Sequence, residues 1–127
     1  MKIERFTDLR VWQQAHKLTL LIYKLTEALP SSERFGMTSQ IRRSAASVPA
    51  NIAEGFGRRT TRELLRSMQI ARGELEETRY FLILGRDLGH IKVPDFEPAT
   101  AACDVVAKLL NALGSSLKKR LAAHQDS

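Results

Sequence analysis

The sequence predicts an all-α protein, an antiparallel up-down-up-down four-helix bundle with a proline-kinked second helix. Apolar residues recur about every 3.6 positions through four long segments, which is the spacing of a helix face and not of a strand. Glycine and proline cluster between these segments and mark the connections. A length of 127 residues suits one domain, residues 1–127, and four helices with short connections fold most simply as an antiparallel bundle.

The first helix is predicted over residues 8–28. Its apolar residues recur at alternating intervals of four and three, as expected for a helix that buries one face. Asp8 stands at the N-cap position. Pro30 ends the helix, because the residue before a proline disfavours helical geometry.

The second helix is predicted over residues 36–57 and contains Pro49. A proline inside a helix removes one backbone hydrogen bond and crowds the carbonyl four residues earlier, here that of Ala45. The sequence therefore predicts either a kink or two abutting half-helices at this point. Gly55 and Gly57 end the helix.

The third and fourth helices are placed by residues typical of helix starts. Thr60 is a suitable N-cap for a third helix over residues 61–88. Pro98 suits the first position of a helix, so the fourth is predicted over residues 98–120. The tail, residues 121–127, is predicted to be frayed.

Two helices carry more apolar residues than the core of a four-helix monomer requires. This surplus predicts self-association, although a broad core with scattered exposed apolar groups explains the same pattern. The surplus residues are Trp12, Leu20 and Tyr23 in the first helix and Phe81, Leu84 and Leu88 in the third.

Positive charge is concentrated in one stretch of the chain. The protein has 20 Lys and Arg against 14 Asp and Glu, a net charge of +6. The stretch from Arg34 to Arg72 contains eight arginines, two acidic residues and no lysine, so it holds the whole excess. Because arginine binds phosphate through two parallel hydrogen bonds, this composition predicts sequence-nonspecific binding of RNA or DNA. The candidate nucleic-acid-binding residues are Arg42, Arg43, Arg58, Arg59, Arg62 and Arg66.

Other roles for these arginines remain open at this stage. They form a solvated face if they pair with neighbouring acids, for which Glu54 with Arg58 and Glu63 with Arg59 have the spacing of one helical turn. Alternatively, the protein is an interaction scaffold whose arginines contact other subunits or acidic partners, without nucleic acid. The sequence also leaves open whether the arginines near residue 42 and those near residue 58 form one patch or two.

No reaction is indicated by the sequence, and the protein is predicted not to be an enzyme. The glycines at 55–57 follow a helix and not a strand, so they do not predict a dinucleotide site. The histidines and Cys103 lack metal-ligand spacing, and no cofactor or metal is expected. The remaining enzymatic alternative is a metal-dependent nuclease that uses Glu54. No segment has the roughly 20 apolar residues of a membrane span, and the single cysteine favours a cytoplasmic protein.

Several segments resemble a known family of bacterial four-helix bundle proteins, encoded in intervening sequences of large-subunit ribosomal RNA genes. The similarity covers about residues 6–91. The segments that carry it are Phe6–Gln13, Glu33–Ala45, Val48–Arg58, Ala71–Glu77 and Leu88–Gly89.

This resemblance implies a four-helix bundle that assembles into a homopentamer. Relatives of the family include the accessory protein of diversity-generating retroelements, a basic pentamer that binds nucleic acid and a reverse transcriptase. By analogy alone, a reverse transcriptase is one possible protein partner. Besides Arg42, Arg43 and Arg58, the family-signature positions are predicted to be structural. These positions are Gln40, Asn51, Glu54 and Gly55. Among them, the side chains of Asn51 and Glu54 can satisfy backbone groups freed by Pro49 and by the turn at Gly55.

Overall fold

Four long helices make up the structure. The computed structural model describes residues 2–123, in which no strand occurs. Short 3-10 turns at Phe6–Asp8 and Ser31–Glu33 lie before the first and second helices. The all-α prediction is confirmed. The helices are α1 (Arg10–Thr26), α2 (Met37–Gly57), α3 (Thr61–Asp87) and α4 (Val93–Ala123).

Each helix packs against the next, and α4 closes the bundle against α1. The facing residues of α2 and α3 show the direction of the helices. Ser44 hydrogen-bonds Thr78 at 2.9 Å, whereas Gly55, further along α2, lies against Ser67, nearer the start of α3. The two helices therefore run in opposite directions, as the predicted antiparallel bundle requires.

The core is formed by the predicted apolar stripes. On all four helices the buried residues recur mainly at intervals of three or four positions, with a few adjacent pairs that widen the buried face. The surplus residues divide between core edge and surface: Trp12, Phe81 and Leu84 pack against the core, whereas Leu20 is 57% exposed. The principal buried residues are Val11, Ala15, Leu18 and Ile22 on α1; Ile41, Ala45, Val48 and Ile52 on α2; Met68, Ala71, Leu75 and Leu82 on α3; and Cys103, Val106, Leu110 and Leu117 on α4.

The start of α1 differs from the prediction. Leu9, and not Asp8, is the residue before the first helical position. The carboxylate of Asp8 accepts hydrogen bonds of 3.0 Å from the backbone N–H groups of Glu4 and Arg5. These two bonds lower the pKa of Asp8 below its usual value. Asp8 therefore closes the preceding 3-10 turn and does not cap the helix.

The predicted start of the fourth helix, at residue 98, is also wrong. α4 begins at Val93, and the carbonyl of Lys92 accepts hydrogen bonds from the N–H groups of Asp95 and Phe96. Pro94 is tolerated because the N–H groups of a first turn have no partner within the helix. Pro98 lies inside the helix. At the other end the helix reaches Ala123, so residues 121–123 are helical, and the rest of the tail predicted to be frayed lies outside the described residues.

Pro49 lies inside α2, which is a single helix, so the alternative of two half-helices is wrong. The carbonyl of Ala45 would receive the N–H of residue 49 in a regular helix, and proline has none. The hydroxyl of Thr19, on α1, shares its single proton between two carbonyls, that of Ala15 in α1 at 2.9 Å and that of Ala45 at 3.1 Å. A side chain of the neighbouring helix thus offers a donor to the group that the proline leaves free.

Replacing Thr19 with valine should lower the free energy of unfolding by about 1–2 kcal/mol, because the Ala45 carbonyl then loses its donor. In a Pro49→Ala background the N–H of residue 49 supplies that bond, so the same replacement should cost less than half as much. Chemical denaturation of the four proteins of this double-mutant cycle measures the difference. Equal losses of unfolding free energy in both backgrounds would show that Thr19 does not donate to the Ala45 carbonyl.

Candidate nucleic-acid interface

Arg42 is held at the end of α1. Its Nε donates to the hydroxyl of Thr26 at 2.8 Å, and its Nη2 donates to the carbonyl of Tyr23 at 3.2 Å. The guanidinium also lies over the Tyr23 ring, 4.7 Å from its centroid. Because the last carbonyls of a helix lack helical partners and carry partial negative charge, a cation here stabilises α1. Arg42 therefore joins α2 to α1 and is a poor candidate for a phosphate contact.

Arg43 is neutralised by two carboxylates of α3. Its Nη1 lies 3.2 Å from Glu74, and its Nη2 hydrogen-bonds Glu77. The hydrogen bond with Glu77 raises the pKa of Arg43 above its usual value. The Nε atom donates to the side chain of Gln40 at 3.3 Å. Arg43 and Gln40 thus belong to an α2–α3 contact.

The other four predicted arginines lie at the opposite end of α2 and at the start of α3. Sixteen residues separate Arg42 from Arg58, or about 24 Å along a helix, so the predicted residues form two groups. Arg59, Arg62 and Arg66 are exposed and have no ion pair within the described part of the chain. Arg58 pairs with Glu54 at 3.7 Å, as predicted. The second predicted pair, Arg59 with Glu63, is absent from the ion pairs of the described residues.

The turn between α2 and α3 puts Arg59 in an unusual backbone conformation. Its φ is +64°, in the left-handed region, and it follows the last residues of α2. Glycine is the usual residue at this position after a helix, since it has no Cβ to clash. The side chain of Thr60 then accepts a hydrogen bond of 3.2 Å from the N–H of Glu63 and caps α3, as predicted.

Three further cations near the end of α4 reach the same end of the bundle. Arg120 and Arg59 line one cavity of about 450 Å³, together with Lys2 from the start of the chain. Lys118 and Lys119 are exposed on the same last turns of α4. Sequence reasoning missed these residues because it sought the basic surface only in the stretch from Arg34 to Arg72, and no local pattern places the end of α4 beside the α2–α3 turn. We call the following set the basic end: Arg58, Arg59, Arg62, Arg66, Lys118, Lys119 and Arg120.

Glu63 lies in the first turn of α3, at the basic end, but the acidic residues in the middle of α3 lie further along the bundle and are paired. Glu76 is 3.5 Å from Arg72 and 3.3 Å from Arg79, whose guanidinium also binds Asp104 of α4 at 2.7 Å. Glu74 and Glu77 hold Arg43, as described above. Glu74, Glu77 and Asp104 therefore join neighbouring helices, whereas Glu76 pairs within α3. The arginines that these carboxylates contact are not part of the basic end.

The remaining signature residues differ in their contacts. The amide of Asn51 donates to the carbonyl of Ser47 at 2.7 Å, so it does not satisfy the carbonyl that Pro49 frees. Glu54 is exposed and contacts Arg58. Gly55 is buried, and a Cβ there would lie 2.4 Å from the Cβ of Ser67. Gly55 thus allows α2 to approach α3 closely, next to the basic end.

Other candidate sites have little support among residues 2–123. No group of three or more His, Cys, Asp or Glu side chains is arranged to hold a metal ion there. Burial raises the pKa of Cys103 to about 11, so its thiol stays protonated at neutral pH. Within the same range, none of the helices combines the length and apolar character of a membrane span.

The fold and the basic end define a basic four-helix bundle protein. The chain matches the family model of the 23S rRNA-intervening sequence protein over residues 7–112, and it belongs to this family. This match confirms the predicted resemblance and extends it beyond residue 91 into α4.

A solved structure with the same fold supports this assignment. It is a protein with unknown function from the S23 ribosomal protein family of Bacteroides thetaiotaomicron VPI-5482. The TM-score is 0.77 at 26% sequence identity, and the alignment covers 83% of this chain and 95% of that chain. No curated protein matches the sequence.

Proposed function

We propose that this protein is a non-enzymatic nucleic-acid-binding protein that contacts phosphates of RNA or DNA through the basic end. The observation that carries the proposal is the convergence of cations from the α2–α3 turn and from α4 on one end of the bundle. Arginine and lysine contacts to phosphate bind without reading sequence. Because Arg42 and Arg43 are engaged within the bundle, the proposed interface omits both.

The conformation of Arg59 supports a role for its side chain. A residue other than glycine in the left-handed region destabilises the fold by about 1 kcal/mol. The chain has an arginine there, where glycine would fit without strain. A charged side chain at this position is explained if the basic end needs it for binding.

Replacing Arg59 with glycine should therefore raise the free energy of unfolding by about 1 kcal/mol while weakening nucleic-acid binding several-fold. Thermal denaturation and binding titrations of the same preparation measure both effects. Arg59→Gln is the matched control, because it removes the charge but keeps the strain: binding should weaken without a gain in stability. Unchanged affinity in both variants would exclude Arg59 from the interface.

A salt series tests the proposed function directly. Purified protein is titrated into labelled single-stranded RNA and duplex DNA between 50 and 200 mM salt, and the logarithm of affinity is plotted against that of salt. Phosphate binding should give a slope of about −0.7 per contact on single strands and about −0.9 on duplex. Absence of binding at 50 mM would overturn the proposal and favour the scaffold alternative.

We also infer that the protein self-associates. Leu20 and Tyr23 on α1 and Tyr80 and Ile83 on α3 are at least 42% exposed, and large apolar side chains are expected to be covered. The family resemblance favours five subunits. A ring would present several basic ends to one polymer, which raises avidity without new contacts.

Light scattering should therefore give a mass several times the 14.3 kDa of one chain, and five times that mass for a pentamer. Replacing Tyr80 and Ile83 together with arginine should lower the measured mass, because charged groups resist burial in an interface. The control is Lys17 and Lys108 changed to arginine, which keeps their charge. A monomeric wild-type protein would contradict self-association.

A further inference from the structure

A groove lies between α3 and α4, and Lys118 is the one residue of its lining that belongs to the basic end. Its volume is about 280 Å³, near the lower end of small-ligand sites. Leu65 supplies the accessible part of its apolar lining, and Met68 and Leu110 lie almost fully buried beneath it. Lys118, a member of the basic end, lies on its border, so the groove is continuous with the proposed interface.

The polar lining of the groove lacks an acceptor for Arg72. Its Nη2 pairs with Glu76 at 3.5 Å, but its Nη1 is buried without a hydrogen-bond partner among the described residues. Buried donors are rarely left unpaired, since an unsatisfied group keeps its full desolvation penalty. The Arg72 side chain as a whole is 38% exposed, so an anionic ligand in the groove can reach its guanidinium, and a small rotation of that group would bring Nη1 to the ligand. The same ligand would meet the charge of Lys118.

Two amide side chains complete the lining. Gln69 lies one turn from Arg72 on α3, and Asn111 lies opposite on α4. Amides offer a donor and an acceptor side by side, which matches the polar edge of a nucleobase. The groove therefore combines an apolar surface, two amides and two cations. A nucleotide matches each of them, because its base has an apolar face and a polar edge and its phosphate is anionic.

We propose that the α3–α4 groove binds one nucleotide unit, with its base against Leu65 and its phosphate held by Arg72 and Lys118. The proposal rests on the proposed function, because a single strand bound at the basic end would pass Lys118 and could place one of its bases in the groove. Free mononucleotides have the same chemistry and are the other possible source. Duplexes keep their bases stacked and paired, so they contact the basic end alone.

Gly114 allows a test that fills the groove and leaves every charge in place. It lies in the groove lining, and a Cβ there would have no atom within 4 Å. The matched control is Gly73, which is exposed on α3, lies outside the groove and is equally open. Leucine is a much better helix former than glycine, so neither Gly114→Leu nor Gly73→Leu should melt below the wild type.

Labelled single-stranded and duplex RNA of equal length are titrated with all three proteins. Gly114→Leu should lower affinity for the single strand about tenfold, because base burial and the hydrogen bond to Arg72 are lost together. Affinity for the duplex should not change, and Gly73→Leu should bind both like the wild type. In a second arm AMP, GMP, CMP and UMP are titrated individually, and binding that Gly114→Leu abolishes would identify free mononucleotides as a source.

Single-strand affinity equal in the wild type and Gly114→Leu would overturn the groove proposal and leave the proposed function standing. Equal losses on single strand and duplex would also overturn it, because the groove would then have no preference for an accessible base. If the wild type bound neither RNA, the proposed function would fail, and the groove would depend on the second arm alone. Absence of mononucleotide binding in that case would overturn it too.

Discussion

Replacing Arg58, Arg62 and Arg66 together with glutamine should weaken nucleic-acid binding about 100-fold at 50 mM salt. Each of the three exposed guanidinium groups can supply one charge-assisted contact of about 1 kcal/mol to a phosphate. The variant should also reduce the salt-dependence slope by about 2 to 3 units, one for each lost contact. Glutamine keeps helix propensity close to that of arginine, so the fold should be retained.

The matched control removes the same amount of charge from the other end of the bundle. Lys24 in the last turn of α1, Arg34 between α1 and α2, and Lys92 before α4 are all exposed. Changing these three residues to glutamine should alter affinity by less than threefold. If both triple variants lost affinity equally, binding would depend on net charge, and the basic end would not be the interface.

Replacing Gly55 with alanine should lower the free energy of unfolding by about 2–3 kcal/mol, the range found when a packed core is overfilled. The added Cβ would lie 2.4 Å from the Cβ of Ser67 and 3.4 Å from the Cα of Leu64, so α2 and α3 would have to separate. Chemical denaturation monitored by circular dichroism measures the loss. Because Gly55 lies next to the basic end, nucleic-acid affinity should fall as well.

Gly57 provides the control for this prediction. It is the last residue of α2, is exposed, and a Cβ there would meet no atom within 4 Å. Gly57→Ala should leave stability unchanged or slightly higher. In addition, Gly55→Ala should be less damaging when Ser67 is changed to glycine, because the opposing Cβ is then absent. Equal stability of Gly55→Ala and Gly57→Ala would show that the space between α2 and α3 at Gly55 accommodates a Cβ, and would contradict the prediction.

Most of the fold could be predicted because helix periodicity is a local property. The interval between Ile41, Ala45 and Val48 defines a buried face whatever lies opposite it, and the structure buries all three. Helix ends depended on weaker signals. Pro98 was an ambiguous signal for a helix start. A proline fits the first turn of a helix, but it is also tolerated inside a helix when tertiary packing offsets the lost hydrogen bond.

The candidate site was predicted less completely, since arginines of the same type have different roles. Arg43 and Arg62 are indistinguishable by composition, yet one contacts two carboxylates of α3 and the other is exposed without an ion pair within residues 2–123. Glu74 and Glu77 lie more than 30 positions from Arg43 in the chain. No local pattern reveals such pairs.

The sequence by itself determined four helices, their buried faces and an excess of arginine, because each of these follows from spacing and composition. Only the tertiary structure decided which arginines are free, because that depends on the side chains that other helices place opposite them. It also brought Arg120 of α4 to Arg59 of the α2–α3 turn, and Thr19 of α1 to the carbonyl that Pro49 frees. These contacts join residues distant in the chain, and packing alone determines them.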